Sequence, residues 1–85
     1  MFAYLGLSCE PAQVQGITAN RVTLKSDGFY APGLRALVEL VNAARTFKCV
    51  LFLRVGRVRR HKDGTCTWDA EFARPLTVDE LHELV

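Results

Sequence analysis

The stretch G-F-Y-A-P-G-L-R-A-L-V-E-L-V-N-A-A-R-T-F-K-C-V-L-F-L-R-V, residues 28–55, decides the fold. Asp27-Gly28 marks a turn, and Pro32 falls where the first turn of a helix tolerates a missing N–H. From there the apolar residues recur at Leu34, Leu37, Val38, Leu40, Val41, Ala44 and Phe47, with Arg35, Glu39, Asn42 and Arg45 on the remaining face. This spacing predicts an amphipathic helix. Arg35 and Glu39, four apart with the base first, would add at most roughly 0.2–0.5 kcal/mol, so burial of the stripe would have to hold the helix. After Thr46 the pattern changes: Cys49-Val50-Leu51-Phe52-Leu53 is apolar at every position. Such a run predicts a central strand covered on both sides, or by a helix on one face and a partner on the other.

Working outward, residues 2–9 read as a strand apolar on both faces, and Glu10–Asn20 as a turn-rich connection containing Pro11, Gly16 and Asn20. Val22 and Leu24 alternate with Arg21, Thr23 and Lys25, the pattern of a half-buried strand. On the carboxyl side, Leu51, Leu53 and Val55 share one parity and Val58 has the other. A bulge at Gly56 puts all four on one face and leaves Arg57 and Arg59 outside. Lys62-Asp63-Gly64 suits a three-residue hairpin loop with Gly64 left-handed. That register sets His61 opposite Thr65, Arg59 opposite Thr67, Val58 opposite Trp68 and Arg57 opposite Asp69. In the returning strand Cys66, Trp68, Ala70 and Phe72 face the core. Arg74-Pro75 ends it, and Thr77 with Glu80 forms a capping-box pattern opening a last helix. The expected fold is α+β in the order β-β-α-β-β-α, a mostly antiparallel sheet with two helices packed on one face, within a single domain over residues 1–85.

Composition sets further expectations. With 85 residues, 49% hydrophobic and 24% charged, the chain has the make-up of a soluble globular protein with one small core, so either a monomer or a homodimer fits. Three cysteines, Cys9, Cys49 and Cys66, form no C-x-x-C pair, and the odd count argues against a disulfide framework. Reduced thiols and a cytoplasmic setting are expected. The amino terminus lacks the basic region and apolar length of an export signal, and is too short to span a bilayer.

Residues 21–55 also resemble the opening of the bacterial histidine-containing phosphocarrier protein, HPr. In that family a V-T-I-type strand leads through G-L-H-A-R-P-A into an amphipathic helix ending in phenylalanine. Here R-V-T-L-K-S-D-G-F-Y-A-P-G-L-R-A-L-V-E-L-V-N-A-A-R-T-F carries the likeness, over about half the chain. The resemblance implies an HPr-like fold without phosphocarrier activity. The phospho-acceptor histidine falls on Tyr30, the arginine–proline pair on Pro32-Gly33, and Arg35 is displaced into the helix.

No residue pattern points to catalysis, a cofactor or a metal: His61 and His82 lack ligand spacing, and Cys66 near His61 lacks a third, orienting group. Two features remain. Tyr30 lies in a Gly/Pro loop, beside Arg35. Arg54, Arg57, Arg59, Arg60 and Lys62, with His61, form a basic run balanced by six acids and one base in residues 63–85. These seven residues, Tyr30, Arg35, Arg54, Arg57, Arg59, Arg60 and Lys62, are the expected partner-binding set. The expected function is a small non-enzymatic interaction or regulatory module that binds a protein partner, and an acidic surface on that partner would suit these arginines. The alternative is nucleic-acid binding by the basic hairpin 54–62, against which stand a net charge of only +2 and the lack of interleaved aromatics.

Overall fold

Between Gly33 and Asn42 the backbone is extended, not helical. The computed structural model, which describes residues 1–85, contains six strands and one short helix. The strands are β1 (Phe2–Leu5), β2 (Glu10–Ile17), β3 (Arg21–Ser26), β4 (Arg35–Val41), β5 (Lys48–Arg60) and β6 (Cys66–Phe72); the helix is α1 (Val78–Leu84). They form a closed antiparallel barrel in the order β1-β2-β3-β6-β5-β4, with β4 returning to pair with β1. The α+β order with two helices on one face is therefore corrected, and so is the HPr-like fold. The segment that carried the resemblance holds strands β3 and β4, the turns that follow them, and the first part of β5.

The physical reason lies in two periodicities carried by one sequence. Ala36, Val38 and Leu40 alternate toward the barrel interior, with Val38 and Leu40 fully buried. Leu37, apolar on the opposite parity, is what lends the segment its helical spacing. A helix here would have buried one stripe, whereas the strand gains a hydrogen-bonded ladder on each edge, to β1 and to β5. The bounding turns agree with this. Gly33 has φ +88°, open to glycine at little cost. Asn42 Oδ1 accepts from the N–H groups of Thr46 and Phe47 at 2.9 and 3.0 Å, closing the β4–β5 turn where the helix was expected to continue.

Residues 10–20, expected as a connection, contain the eight-residue strand β2. Its first half pairs with β1 and its second with β3, and the ladder shifts between Val14 and Gly16. Pro11 is accommodated opposite Tyr4, near the start of the strand. The apolar run Cys49–Leu53 is a strand but is covered on one side only. Cys49, Leu51 and Leu53 are buried, whereas Val50 and Phe52 face outward with 49% and 62% of their surface exposed.

Other elements match the sequence reading. Val22 and Leu24 of β3, and Cys66, Trp68, Ala70 and Phe72 of β6, enter the core. The ladder shifts between Val55 and Val58, setting Val58 opposite Trp68 and Arg59 opposite Thr67. Thr77 and Glu80 make the expected capping box. The interior is filled by side chains, as in other small barrels. Leu76 and Leu84 join the core beside Cys49, so α1 covers the end where β5 begins. At the opposite end Tyr30 stacks on Trp68, with centroids 5.0 Å apart, and the buried Trp68 indole N–H donates to Ser26 Oγ at 3.1 Å. The β5–β6 ribbon projects from that second end. No helix is long and apolar enough to cross a membrane.

Candidate functional site: an arginine-bearing outer face

Strand alternation that buries Leu51, Leu53 and Val55 turns Lys48, Val50, Phe52 and Arg54 outward. Register then brings in residues distant in sequence. Arg35 lies opposite Arg54, Arg54 opposite Glu71, and Glu71 opposite Arg21, so a single row crosses four strands with one acid among three arginines. Glu71 makes no ion pair with its neighbours; the chain's one salt bridge is Arg74–Glu80, at 2.7 Å. Arg35 and Arg54 are like charges directly across a ladder, an arrangement that opposes folding.

The bulge adds a second row. Gly56 lies close under the β6 backbone: a Cβ there would come within 3.4 Å of the Asp69 carbonyl oxygen. Asp69 is engaged from the other side, accepting from Thr23 Oγ1 at 3.0 Å. Arg21, Arg54 and Arg57 surround the resulting depression of about 450 Å³, with Asp69 and Glu71 in its wall. A neighbouring depression of about 620 Å³ shares Arg54 and Glu71 and is bounded by Arg35, Phe52 and Phe72. Leu37, opposite Phe52 across the ladder, extends the apolar part of this surface.

Farther along the ribbon, Arg59 is exposed opposite Thr67, and a ring nitrogen of His61 lies 2.6 Å from Thr67 Oγ1. Arg60 stands on the other side, its guanidinium 4.8 Å above the Phe29 ring. Lys62 is exposed in the turn. The acid that follows it in the chain, Asp63, is already occupied. Its Oδ1 accepts from the N–H and hydroxyl of Thr65 at 3.0 and 2.6 Å, bonds that hold its carboxyl below the usual range.

The expected binding set is thus divided. Arg35, Arg54, Arg57 and Arg59 share one continuous outer surface, while Arg60 and Lys62 occupy the ribbon's far end. Tyr30 stands apart from both. Its ring plugs the barrel over Trp68, and its hydroxyl donates to Glu10 Oε2 at 2.5 Å. Burial first, and then the bond to Glu10, push its pKa up to about 12. Three contributors went unnoticed in the sequence: Arg21, Val50 and Phe52. Arg21 required the β3–β6 pairing; Val50 and Phe52 share parity with Lys48 and Arg54, which was the available signal.

His61 and Cys66 lie on opposite faces of the ribbon, Cys66 being buried in the core. No group of three or more His, Cys, Asp or Glu side chains is arranged to hold a metal ion. Comparison of the chain with protein-family models, curated proteins and solved structures finds no match.

Proposed function

We propose that this chain is a non-catalytic module that binds an acidic protein partner through the outer face of β5 and its neighbours. The observation that carries this reading is the pairing of charge and apolar area in one place. Unpaired Arg35 and Arg54 flank an outward phenylalanine, Phe52, that is 62% exposed and has Leu37 beside it. Arginine and aromatic side chains at the centre of a surface are the residues that most often anchor protein interfaces, and unpaired charge speeds encounter with an oppositely charged partner. Tolerance of the Arg35–Arg54 opposition fits a surface kept for binding at some cost in stability.

A polyanionic strand is a poorer fit. Glu71 and Asp69 stand within the arginine cluster and would repel phosphates, and only one exposed aromatic residue of β5, Phe52, is available for stacking on that face.

The test compares wild type with Phe52→Ala and with Arg54→Ala/Arg57→Ala as bait in lysate with and without nuclease treatment. Proteins retained by wild type should be lost from both variants. Equal retention by the variants, or loss of every retained species on nuclease treatment, would overturn the reading.

A further inference from the structure

Closure of the barrel leaves several stretches of strand paired on one side only, and the one lined by arginines is the far part of β5. β4 accompanies β5 from Val41–Lys48 to Arg35–Arg54. The ladder ends one step beyond, where Gly33 N–H donates to the Val55 carbonyl at 2.7 Å and Val55 N–H to the Leu34 carbonyl at 2.8 Å. At Gly33, with φ +88°, the chain turns away. β5 nevertheless continues to Arg60, paired only with β6.

The alternation of antiparallel bonding identifies the groups this leaves open. His61 N–H donates to the Thr65 carbonyl at 2.8 Å, so 61/65 is a bonded pair and 59/67, two residues on, is the next. The intervening pairs, 60/66 and 58/68, are non-bonded. The N–H and C=O groups of Val58 and Arg60 therefore point away from β6, toward the space that β4 would fill had it been longer.

We propose that this edge, residues 57–60, accepts one added strand from an extended acidic segment of the partner, continuing the line of β4. The inference rests on the reading of the arginine surface as a partner site and specifies how the partner engages it. The side chains beside the edge set the sequence such a strand requires. Arg57 and Arg59 stand on the outer side, with no carboxylate in ion-pair range. On the inner side are Val58, half-buried, and the exposed ring of Phe29 beneath Arg60. A strand laid here presents alternate residues to the two sides. Acids at every second position would meet Arg57 and Arg59, and apolar residues between them would meet Val58 and Phe29.

The same charges select against other occupants. Charged side chains along an edge oppose chance pairing of strands. Two copies of this chain joined edge to edge would bring Arg57, Arg59 and Arg60 of each against the other's arginines. An acidic strand alone turns that barrier into attraction, and adding a strand to an open edge is a recurring mode of peptide recognition.

The test uses the unmodified chain and a short synthetic peptide alternating glutamate and valine. Amide hydrogen exchange of Val58 and Arg60 should slow on the order of tenfold or more at saturation, while Arg59, already bonded to β6, changes little. N-methylation of alternate peptide nitrogens on the bonding edge should abolish binding, and a lysine–valine peptide should not bind. Binding without protection of Val58 and Arg60, or indifferent to N-methylation, would overturn the added strand and leave the arginine surface intact as a partner site. Equal binding of the lysine peptide, or no binding of the acidic peptide at low salt, would overturn the inference. So would protection of the same two amides by self-association in the absence of peptide. A loss of selectivity between wild type and the Phe52 and arginine variants in the capture experiment is a separate result, and bears on the broader reading.

Discussion

The Cys49 thiol donates to Glu80 Oε2 at 3.1 Å, and through this contact the carboxyl-terminal helix is fastened to the start of the longest strand. The same carboxylate receives the Arg74 guanidinium at 2.7 and 2.9 Å and the N–H of Thr77 at 2.9 Å. One side chain thus completes the helix cap, holds the segment after β6 and contacts β5. Arg74 first, then the Thr77 N–H and the thiol, hold the Glu80 carboxyl well below the ordinary value of 4.5.

A carboxyl lowered on folding contributes stability that is present above its unfolded value and lost as pH falls toward its folded one. Glu80→Gln should therefore melt below wild type at neutral pH. The gap between the two should narrow progressively as the pH falls below the ordinary value of 4.5. Thermal unfolding followed by circular dichroism across pH 2–7 checks this; a constant gap would mean the carboxylate charge contributes nothing.

Thiol reactivity should divide the cysteines. Cys9 is exposed, whereas Cys49 and Cys66 are buried, and burial followed by the bond to Glu80 pushes the Cys49 thiol above its usual 9.0. Since the thiolate is the reactive form, a colorimetric thiol reagent should titrate one group rapidly in the native chain. All three should react in denaturant.

The plug at the ribbon end should be the most sensitive part of the core. Trp68→Phe removes the bond to Ser26 and part of the stacking on Tyr30, and should cost about 1–3 kcal/mol. Truncation to alanine should cost about 3–5 kcal/mol. Tyr30 adds an alkaline signature. Its pKa is raised on folding, so its contribution is complete below the unfolded value of 10.0 and is lost as pH climbs toward about 12. Denaturant titrations of wild type and Tyr30→Phe between pH 8 and 12 should converge at the upper end.

Charge reversal at Arg35 should separate stability from binding. Arg35 opposes Arg54 and has no β1 partner, since that ladder begins at Val38. Arg35→Glu should gain about 0.2–1 kcal/mol from the new cross-strand pair and weaken binding of an acidic partner. Unfolding midpoints and a peptide titration measured on one preparation decide both halves.

The barrel strands differ in how plainly the sequence announces them. β3 and β6 were legible because polar residues, Thr23 and Lys25 or Thr67, Asp69 and Glu71, mark every outward position. The bulge and the ribbon register were legible because Gly56 resolves a clash of parity between Val55 and Val58. β4 was not, because Leu37 sits on its outer side and supplies a helix-like period, and only pairing with β1 and β5 makes the extended form the better one. β2 was hidden by Pro11 and Gly16. The arginines of 54–60 could be read as a run, but their grouping with Arg21 and Arg35 depends on ladders between distant segments. The stacking of Tyr30 on Trp68 and its bond to Glu10 were not legible, because a loop position does not say which ring or carboxylate it will meet.

Completion of the ring by residues 2–5 makes the amino terminus the stave that holds the others together. Deleting the chain through Leu5 would unzip two ladders at once, to β2 and to β4, and expose two long adhesive margins. A label fused ahead of Met1, by contrast, would emerge where Phe2 meets Val41 and Gln13, beside a depression that Met1 and Phe2 share with Lys25, Ser26 and Thr65, and so close to the base of the ribbon.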